Sequence, residues 1–337
     1  MVEIPWAPRI EGLRFRRFEG DKDYAVMHSI GKRSLEADKV DYFETAEDLA
    51  NEYENNPDRD PHSEVIIAEV LGEPIAYGRI SSEPGPEGGT VYWHVVHVVP
   101  ERRSTGLRLS MFRFNESEIR SLAIGKEAQA PIVYKVWALD EPNDWREIVV
   151  GEGYAPSLHF FEMIRPDFSN IPDTPLPDGL ELRPARPEDY LKIWNASKEA
   201  FRGKPWFVDA SYDEKYYDAW RNATSFQPGL WKVAWDGNEV AGMARNEVSP
   251  ELDRAFGTKR GHTQHLSVIP RWRKKGLGKA LLAESLKMMR DLGLEEASLD
   301  VETQSTTGEV HLYESVGYQV RRKYAHYVKR VDPRSRV

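Results

Sequence analysis

The chain contains no cysteine, and that one absence excludes a disulfide scaffold, a thiolate zinc site and a cysteine nucleophile. It has no apolar run of about 18 residues, the length a membrane-crossing helix requires. Its opening stretch, MVEIPWAPRIEGLRF, has no apolar core of signal-peptide length. A soluble, cytoplasmic protein without a membrane partner is expected. A basic excess is missing too: Lys and Arg number 46 against 55 Asp and Glu, a net charge of -9. A general polyanion binder presents a basic face, so no nucleic-acid partner is expected, and no metal site either. What the chain does have is length. Its 337 residues suffice for two domains that each bury a core.

Those two domains repeat each other. LRFRRFEGDKDY (13–24) is echoed by LELRPARPEDY (180–190), each a short alternating strand followed by an acidic helix start. GEPIAYGRI (72–80) is echoed by GNEVAGMAR (237–245), HVVHVVPERRSTGL (94–107) by TQHLSVIPRWRKKGL (263–277), and VVGEGYAPSLHFFEM (149–163) by YESVGYQVRRKYAHY (313–327). All are offset by about 165 residues in the same order, which reads as a tandem duplication. Between the halves, RPDFSNIPDTPLPDG (165–179) holds four prolines and a glycine and reads as an extended linker. The expected domains are therefore 1–164 and 180–337, joined by 165–179. Each half runs strand, one or two helices, three antiparallel strands, helix, strand, helix and closing strands. In GKALLAESLKMMRDLG (278–293), Leu281, Leu282, Met288 and Met289 fall at helical spacing. EASLDVE (296–302) alternates as a strand. The class is α/β, with a mixed sheet of the α+β kind.

One stretch stands out chemically. PRWRKKGLGKALL (270–282) packs five cationic side chains around two glycines and then turns apolar. The strand HLSVI (265–269) leads into Arg273, Lys274, Lys275, Gly276, Leu277, Gly278 and Lys279, and a helix begins near Gly278. Such a junction exposes backbone N–H groups that have no partner in the first helical turn. Those donors and the positive end of the helix dipole form a concave anion site. Glycine is needed where a Cβ would block a phosphate's approach. Neither the Walker lysine spacing nor GxGxxG is present, so the loop suits the pyrophosphate of another ligand.

Arg-x-x-Gly-x-Gly after a strand ending in LSVIP resembles the pyrophosphate loop of the GCN5-related N-acetyltransferase (GNAT) superfamily. Downstream, LDVETQSTTGEVHLYESVGY (299–318) resembles that fold's strand, helix and Leu-Tyr-Glu-x-x-Gly-Tyr ending. The resemblance covers 180–330 well and 13–164 loosely, in the layout of tandem members such as the mycothiol synthases. It implies two tandem GNAT (acyl-CoA N-acyltransferase) domains, acetyl-CoA (coenzyme A) as cofactor, and an N-acetyltransferase acting on a small-molecule or peptide amine. Transfer is expected to be direct, in a ternary complex, on a monomer or homodimer.

Residue roles follow from the same resemblance. The strand Leu266, Ser267 and Val268 would pair with the pantetheine arm and the acetyl carbonyl. Ser305 stands where many relatives place a cofactor-contacting asparagine. Tyr313 matches the tyrosine that protonates the departing thiolate, a task for a phenol because it stays protonated near neutral pH. The strand glutamate that serves several members as base is here Gln264, which cannot take a proton. His265, which titrates in the useful range, and Glu247, acting through water, are the candidate bases. Alternation puts His265 and Gln264 on opposite faces.

The first half departs further. Its loop reads Arg103-Ser104-Thr105-Gly106-Leu107-Arg108, with arginine in the last glycine position, and Val149 stands where Tyr313 does. This half is expected to be a degenerate GNAT domain without catalysis. In the second half, residues 201–231 carry eight Trp, Tyr and Phe besides Phe201, with several carboxylates. That segment borders the acceptor cleft of the fold, where its rings and acids suit a cationic or ring-bearing amine or serve as core packing. Two other classes compete: a non-catalytic, CoA-binding regulatory protein, and a tRNA-dependent aminoacyl transferase. The latter calls for a basic groove that this composition does not supply.

Overall fold

The computed structural model describes residues 2–85, 89–125, 132–204, 207–304 and 308–331. The chain divides into two compact units, one of Met1–Ser157 with Ala325–Val337 and one of Leu158–Tyr324. These bounds differ from the expected 1–164 and 180–337. The last strand of the first half lies largely in the second unit, and the chain's end returns to the first.

In the first unit, β1 (Leu13–Arg17) leads through α1 (Lys22–Ala37), α2 (Ala46–Asn55) and α3 (Pro61–Glu64) to β2 (Val65–Val70), β3 (Glu73–Pro84) and β4 (Thr90–Val98). Then come α4 (Leu107–Gly125), β5 (Ile132–Leu139), α5 (Asp144–Gly151) and β6 (Ala155–Arg165). Strands β1 to β4 pair antiparallel in sequence, β2–β3 and β3–β4 through short connections and β1–β2 across the three helices between them, and β4 pairs parallel with β5 across the α4 crossover. Ala325 and Tyr327 complete this unit's core beside Tyr134 and Tyr154. Residues 34–60 are rich in carboxylates. Glu44 and Glu52 among them both bridge Arg79, at 2.7 and 2.8 Å.

The second unit repeats the scheme. It contains β7 (Leu180–Arg183), α6 (Tyr190–Phe201), α7 (Tyr217–Asn222), β8 (Lys232–Asp236), β9 (Glu239–Val248), α8 (Pro250–Phe256) and β10 (Arg260–Val268). These are followed by α9 (Leu277–Asp291), β11 (Glu296–Glu302), α10 (Glu309–Glu314) and the start of β12 (Gln319–Val331), which belongs to the first unit from Ala325 onward. Strands β7 to β10 are antiparallel in sequence, β10 meets β11 in parallel, and β11 pairs antiparallel with β6 from Ala297↔Arg165 to Glu302↔Phe160. Helix α9 buries Leu281, Leu282, Leu286 and Met289. Ser285 sits in that apolar face and is satisfied there by the Leu281 carbonyl at 2.9 Å and Asn246 Nδ2 at 3.0 Å. The proline-rich stretch is docked on this unit: Phe168 and Ile171 pack against one core cluster and Leu176 against another.

The turn after α10 depends on one close approach. Gly317 has φ 91°, and a Cβ there would collide with the Arg165 guanidinium. That buried group donates to the carbonyls of Val316 and Ser169, and its Nε to Asp167 O at 2.8 Å. The equivalent Gly153 has φ 86° and open space around its would-be Cβ. Gly153→Ala therefore costs backbone strain alone, about 1–2 kcal/mol. Gly317→Ala adds overpacking, for a total of about 2–5 kcal/mol. Thermal melts of the two variants should rank in that order, and equal losses would refute the role given to Arg165.

Candidate active site

Strand β10 is hydrogen-bonded to β9 along most of its length, from Gly261↔Val248 to Val268↔Gly242. Its parallel pairing with β11 covers only Arg260–His262 against Glu296–Ser298. Beyond that point β10 runs on to Val268 and β11 to Glu302 with no further pairing among the described residues. The edge of β10 from 263 to 268 thus offers its backbone donors and acceptors to a cleft rather than to a strand. A bulge lies between Thr263 and His265, and it re-aims the side chains at the apex of that cleft. Gln264, the bulged residue, breaks the alternation expected from the sequence.

The cleft leads to the glycine loop. A single 3₁₀ turn, Pro270–Trp272, follows the strand, and α9 then starts at Leu277 behind Gly276, which has φ 87° and makes no side-chain cap. The helix N-terminus is left to whatever anion it meets. A Cβ at Gly278 would lie 3.3 Å from Leu312 Cδ2, 3.7 Å from Leu266 Cδ2 and 3.9 Å from Val268 Cγ2. Side chains larger than alanine would therefore fill the cleft floor. Lys274 adopts φ 59° and is exposed, the Lys275 ammonium stands 4.5 Å over the Trp272 ring, and Lys279 is half-buried. Arg273, expected at the phosphate, donates to two backbone carbonyls. Its Nε donates to Val268 O at 3.1 Å and its Nη2 to Ala200 O at 2.6 Å, tying the loop to the end of α6.

Tyr313 lies on α10, 7% exposed, with its ring centroid 6.2 Å from that of Tyr318. Burial, then the nearby Glu309 charge, pushes its pKa far above the phenol value, so it remains a proton donor at any physiological pH. Glu309 in turn pairs with Lys204 at 2.5 Å, which fastens the loop after α6 to the helix that carries Tyr313. Ser305 lies outside the described residues.

The base candidates separate. His265 Nδ1 meets the Arg245 guanidinium, its ring packs 5.3 Å from that of Phe201, and burial with the Arg245 charge drives its pKa well below 6.5. A proton on His265 would sit against a guanidinium, a poor place for a base. Glu247 faces His262 across the β9–β10 ladder. His262, not singled out by the sequence, accepts or donates through Nδ1 to Ser298 Oγ at 2.9 Å. Its Nε2 lies 4.0 Å from Asp300 Oδ2, and its side chain is 30% exposed. Burial lowers its pKa below 6.5 and Glu247 partly opposes that fall. His262 is the last β10 residue paired with β11, so it stands where the cleft opens. The bulge is what sequence reading lacked. Arg245 and Glu247 share a face of β9, and only the extra residue brings their partners, His265 and His262, to that same face.

The first unit carries the same cleft with a plug. Strand β4 pairs with β5 only over Val91–Trp93 and Val133–Lys135. Arg108, in the position of Gly278, is 2% exposed. It donates from Nε to Val96 O at 3.0 Å and from Nη1 to Asp144 Oδ2 at 2.9 Å, with its guanidinium 4.8 Å over Trp145. The β4 carbonyl that an outside ligand would use is thus taken by the protein's own side chain. Arg103 is spent on Asp38 at 2.7 Å, and the cavity beside Arg108 is about 20 Å³, room for about one water.

Residues 190–318 match the acetyltransferase (GNAT) family. The chain is 28% identical over 272 residues to the mycothiol acetyltransferase of Salinispora tropica, covering 77% of this chain and 80% of that one. A second relative of that description, from Salinispora arenicola, is 28% identical over 270 residues with the same coverage. Among solved structures, a GCN5-related N-acetyltransferase from Sphaerobacter thermophilus superposes with a TM-score of 0.70 at 21% identity, covering 95% of this chain and 96% of that one. A tandem GNAT protein from the clavulanic acid biosynthesis pathway gives a TM-score of 0.66 at 13% identity, covering 96% and 100%. No described helix is long and apolar enough to cross a membrane. The glycine loop, the unpaired edge of β10 and these likenesses converge: residues 190–318 form an acetyltransferase domain of the GNAT family, the chain has the fold of the tandem GNAT structures, and it is an N-acetyltransferase.

Proposed function

We propose that the second unit transfers an acetyl group from acetyl-CoA to a primary amine of a small molecule or peptide, directly and in a ternary complex. The observation that carries this reading is the contrast between the two strand edges: among the described residues β10 is unpaired with β11 beyond His262 and has a glycine at 278, whereas in the first unit the side chain of Arg108 takes the Val96 carbonyl of β4. The residues present fit the cofactor. The N–H groups around Gly276, Leu277 and Gly278 would hold its pyrophosphate, helped by Lys274, Lys275 and Lys279, and the free edge of β10 at Leu266, Ser267 and Val268 would hold its pantetheine arm. When bound, acetyl-CoA supplies the activated acyl group.

The protein's own residues manage the protons. An ammonium acceptor must lose one before its nitrogen can attack. His262, neutral because its pKa sits below 6.5, would accept it at Nε2, with Glu247 across the ladder stabilising the charge that forms. Tyr313 would deliver the proton to the leaving thiolate. The bulge, which puts His262 and Glu247 on one face, and the Lys204–Glu309 pair beside Tyr313 support this assignment.

The test is thiol release by the full chain from acetyl-CoA against an amine library that includes the acceptor of the mycothiol acetyltransferases. Turnover with none of the amines, despite CoA binding, would favour a CoA-binding regulator instead. With a reactive acceptor, kcat/KM should fall on the acid side at a pH below the ordinary histidine value of 6.5, where His262, its pKa lowered by burial, takes up a proton and loses its function as base. In His262→Gln that acid limb should vanish and the rate at pH 7.5 should drop by about 10² or more. An unchanged profile would remove His262 from the mechanism.

A further inference from the structure

Three rings of the aromatic segment, Tyr212, Trp220 and Trp231, stand around a cation that already belongs to the protein. Arg245 lies on β9, 6% exposed, with its guanidinium carbon 5.6 Å from the Trp220 ring centroid and 5.8 Å from that of Trp231. Tyr212, half-buried, stands close enough to act on its charge. A cage with an arginine at its centre repels a cationic group, so the cationic acceptor expected for this segment is not what the cage suits.

Arg245 lacks what buried arginines usually have. Its hydrogen-bond partner among the described residues is His265 Nδ1, a neutral ring, and its Nε is buried with no partner at all among them. Other buried guanidinia in the chain either meet carboxylates, as Arg108 meets Asp144 and Arg59 meets Glu64, or, like Arg165, fill their donors with three backbone carbonyls; Arg245 has neither arrangement among the described residues. Burial lowers the Arg245 pKa to about 10, with Tyr212 and Glu247 opposing, so it is still charged at neutral pH. A buried charge without a counter-ion is unfavourable unless something completes it. Ring faces offset part of the cost but do not use an N–H in the guanidinium plane.

The position fits a ligand site. Arg245 pairs across the ladder with His265, beside the bulge and on the same face as Glu247 and His262. Phe201, which packs on His265, ends α6, whose Ala200 carbonyl holds Arg273 of the glycine loop. Trp220, which covers the guanidinium, is itself half-buried, as is Tyr212.

Resting on the acetyl-transfer reading above, we propose that Arg245 is the anchor for a carboxylate carried by the acceptor, so that the substrate class is an amino carboxylate rather than a simple or cationic amine. A planar carboxylate matches the edge of a guanidinium in two parallel hydrogen bonds, and it supplies the missing negative charge.

The experiment is calorimetric titration of the CoA-saturated full chain with common α- and ω-amino acids and, in parallel, with their carboxamides, together with thiol release for each pair. For at least one pair the carboxylate should bind about tenfold or more tightly than its carboxamide. Arg245→Met, which replaces the charge with an apolar chain, should bring the two within about twofold, and Arg245→Lys, which keeps charge without the fork, should fall between. Equal binding of carboxylate and carboxamide throughout the wild-type panel overturns the proposal. So does a carboxylate preference that survives in a folded Arg245→Met, or tighter binding of phosphoethanolamine than of every carboxylate. Arg245-dependent carboxylate binding with no thiol release in any pair would uphold the anion site and count against acetyl transfer. Thiol release with no carboxylate preference would do the reverse.

Discussion

Tyr313→Phe should lower turnover by about 10² to 10⁴ and leave cofactor affinity and melting temperature nearly unchanged. The substitution keeps the ring that packs near Tyr318 and removes only the hydroxyl. Because burial and Glu309 hold the phenol protonated, the proton lost in the variant is one the wild type always has to give. A residue that only packs behaves the other way. Phe would then be silent, and Tyr313→Ala alone would hurt, through about 3–5 kcal/mol of lost stability. Turnover and melting temperature of both variants separate the cases, provided the acceptor is one for which chemistry limits the rate. Near-wild-type turnover in Tyr313→Phe would pass the donor's role to water or to the substrate.

Gly276→Val should weaken CoA binding by about 10- to 100-fold, while Gly106→Val leaves it unchanged. The pair is a matched control. Both glycines have left-handed backbone, φ 87° and 80°, and nothing within 4 Å of a would-be Cβ, so both valines cost similar backbone strain, about 1–2 kcal/mol. They differ in what lies beyond. Gly276 precedes the uncapped start of α9 and the open cleft, whereas Gly106 precedes a helix whose Arg108 already fills its cleft. Both variants belong in the full chain, because the sequence halves are not the compact units. Equal loss of affinity in both would mean that strain, rather than blocked approach to a phosphate, explains the effect.

The order of elements in each half and the course of the glycine loop were legible in the sequence because they rest on local rules: alternation, helical spacing, and glycine where φ is positive; Tyr313 was singled out by the family resemblance alone. Three features were not. The bulge at Gln264 changes which side chains share a face without leaving a turn residue or a proline to mark it. Arg273 reads as a phosphate ligand by position, and only the carbonyls of Val268 and Ala200, set by tertiary packing, show where its donors go. Arg245 lies in GNEVAGMAR, where the sequence offers an apolar strand and no reason to single out its last residue. The first half's departures from the loop and helix pattern were visible at Arg108 and Val149. The insertion of Arg108 between strands was not, since it depends on Asp144 and Trp145 more than thirty residues away.

Strands β6 and β12 also set a schedule for synthesis. Unit one requires Ala325 onward and unit two requires Leu158 onward, so no contiguous stretch shorter than nearly the whole chain encodes the first. While the ribosome makes the second half, a process of about ten seconds or more, β5 waits with the edge that β12 will occupy open to solvent. Such an edge recruits stray strands. A nonsense mutation or proteolytic clip near residue 320 would consequently injure the amino-terminal unit, far away in sequence, and the folding of this protein should become more error-prone as translation slows.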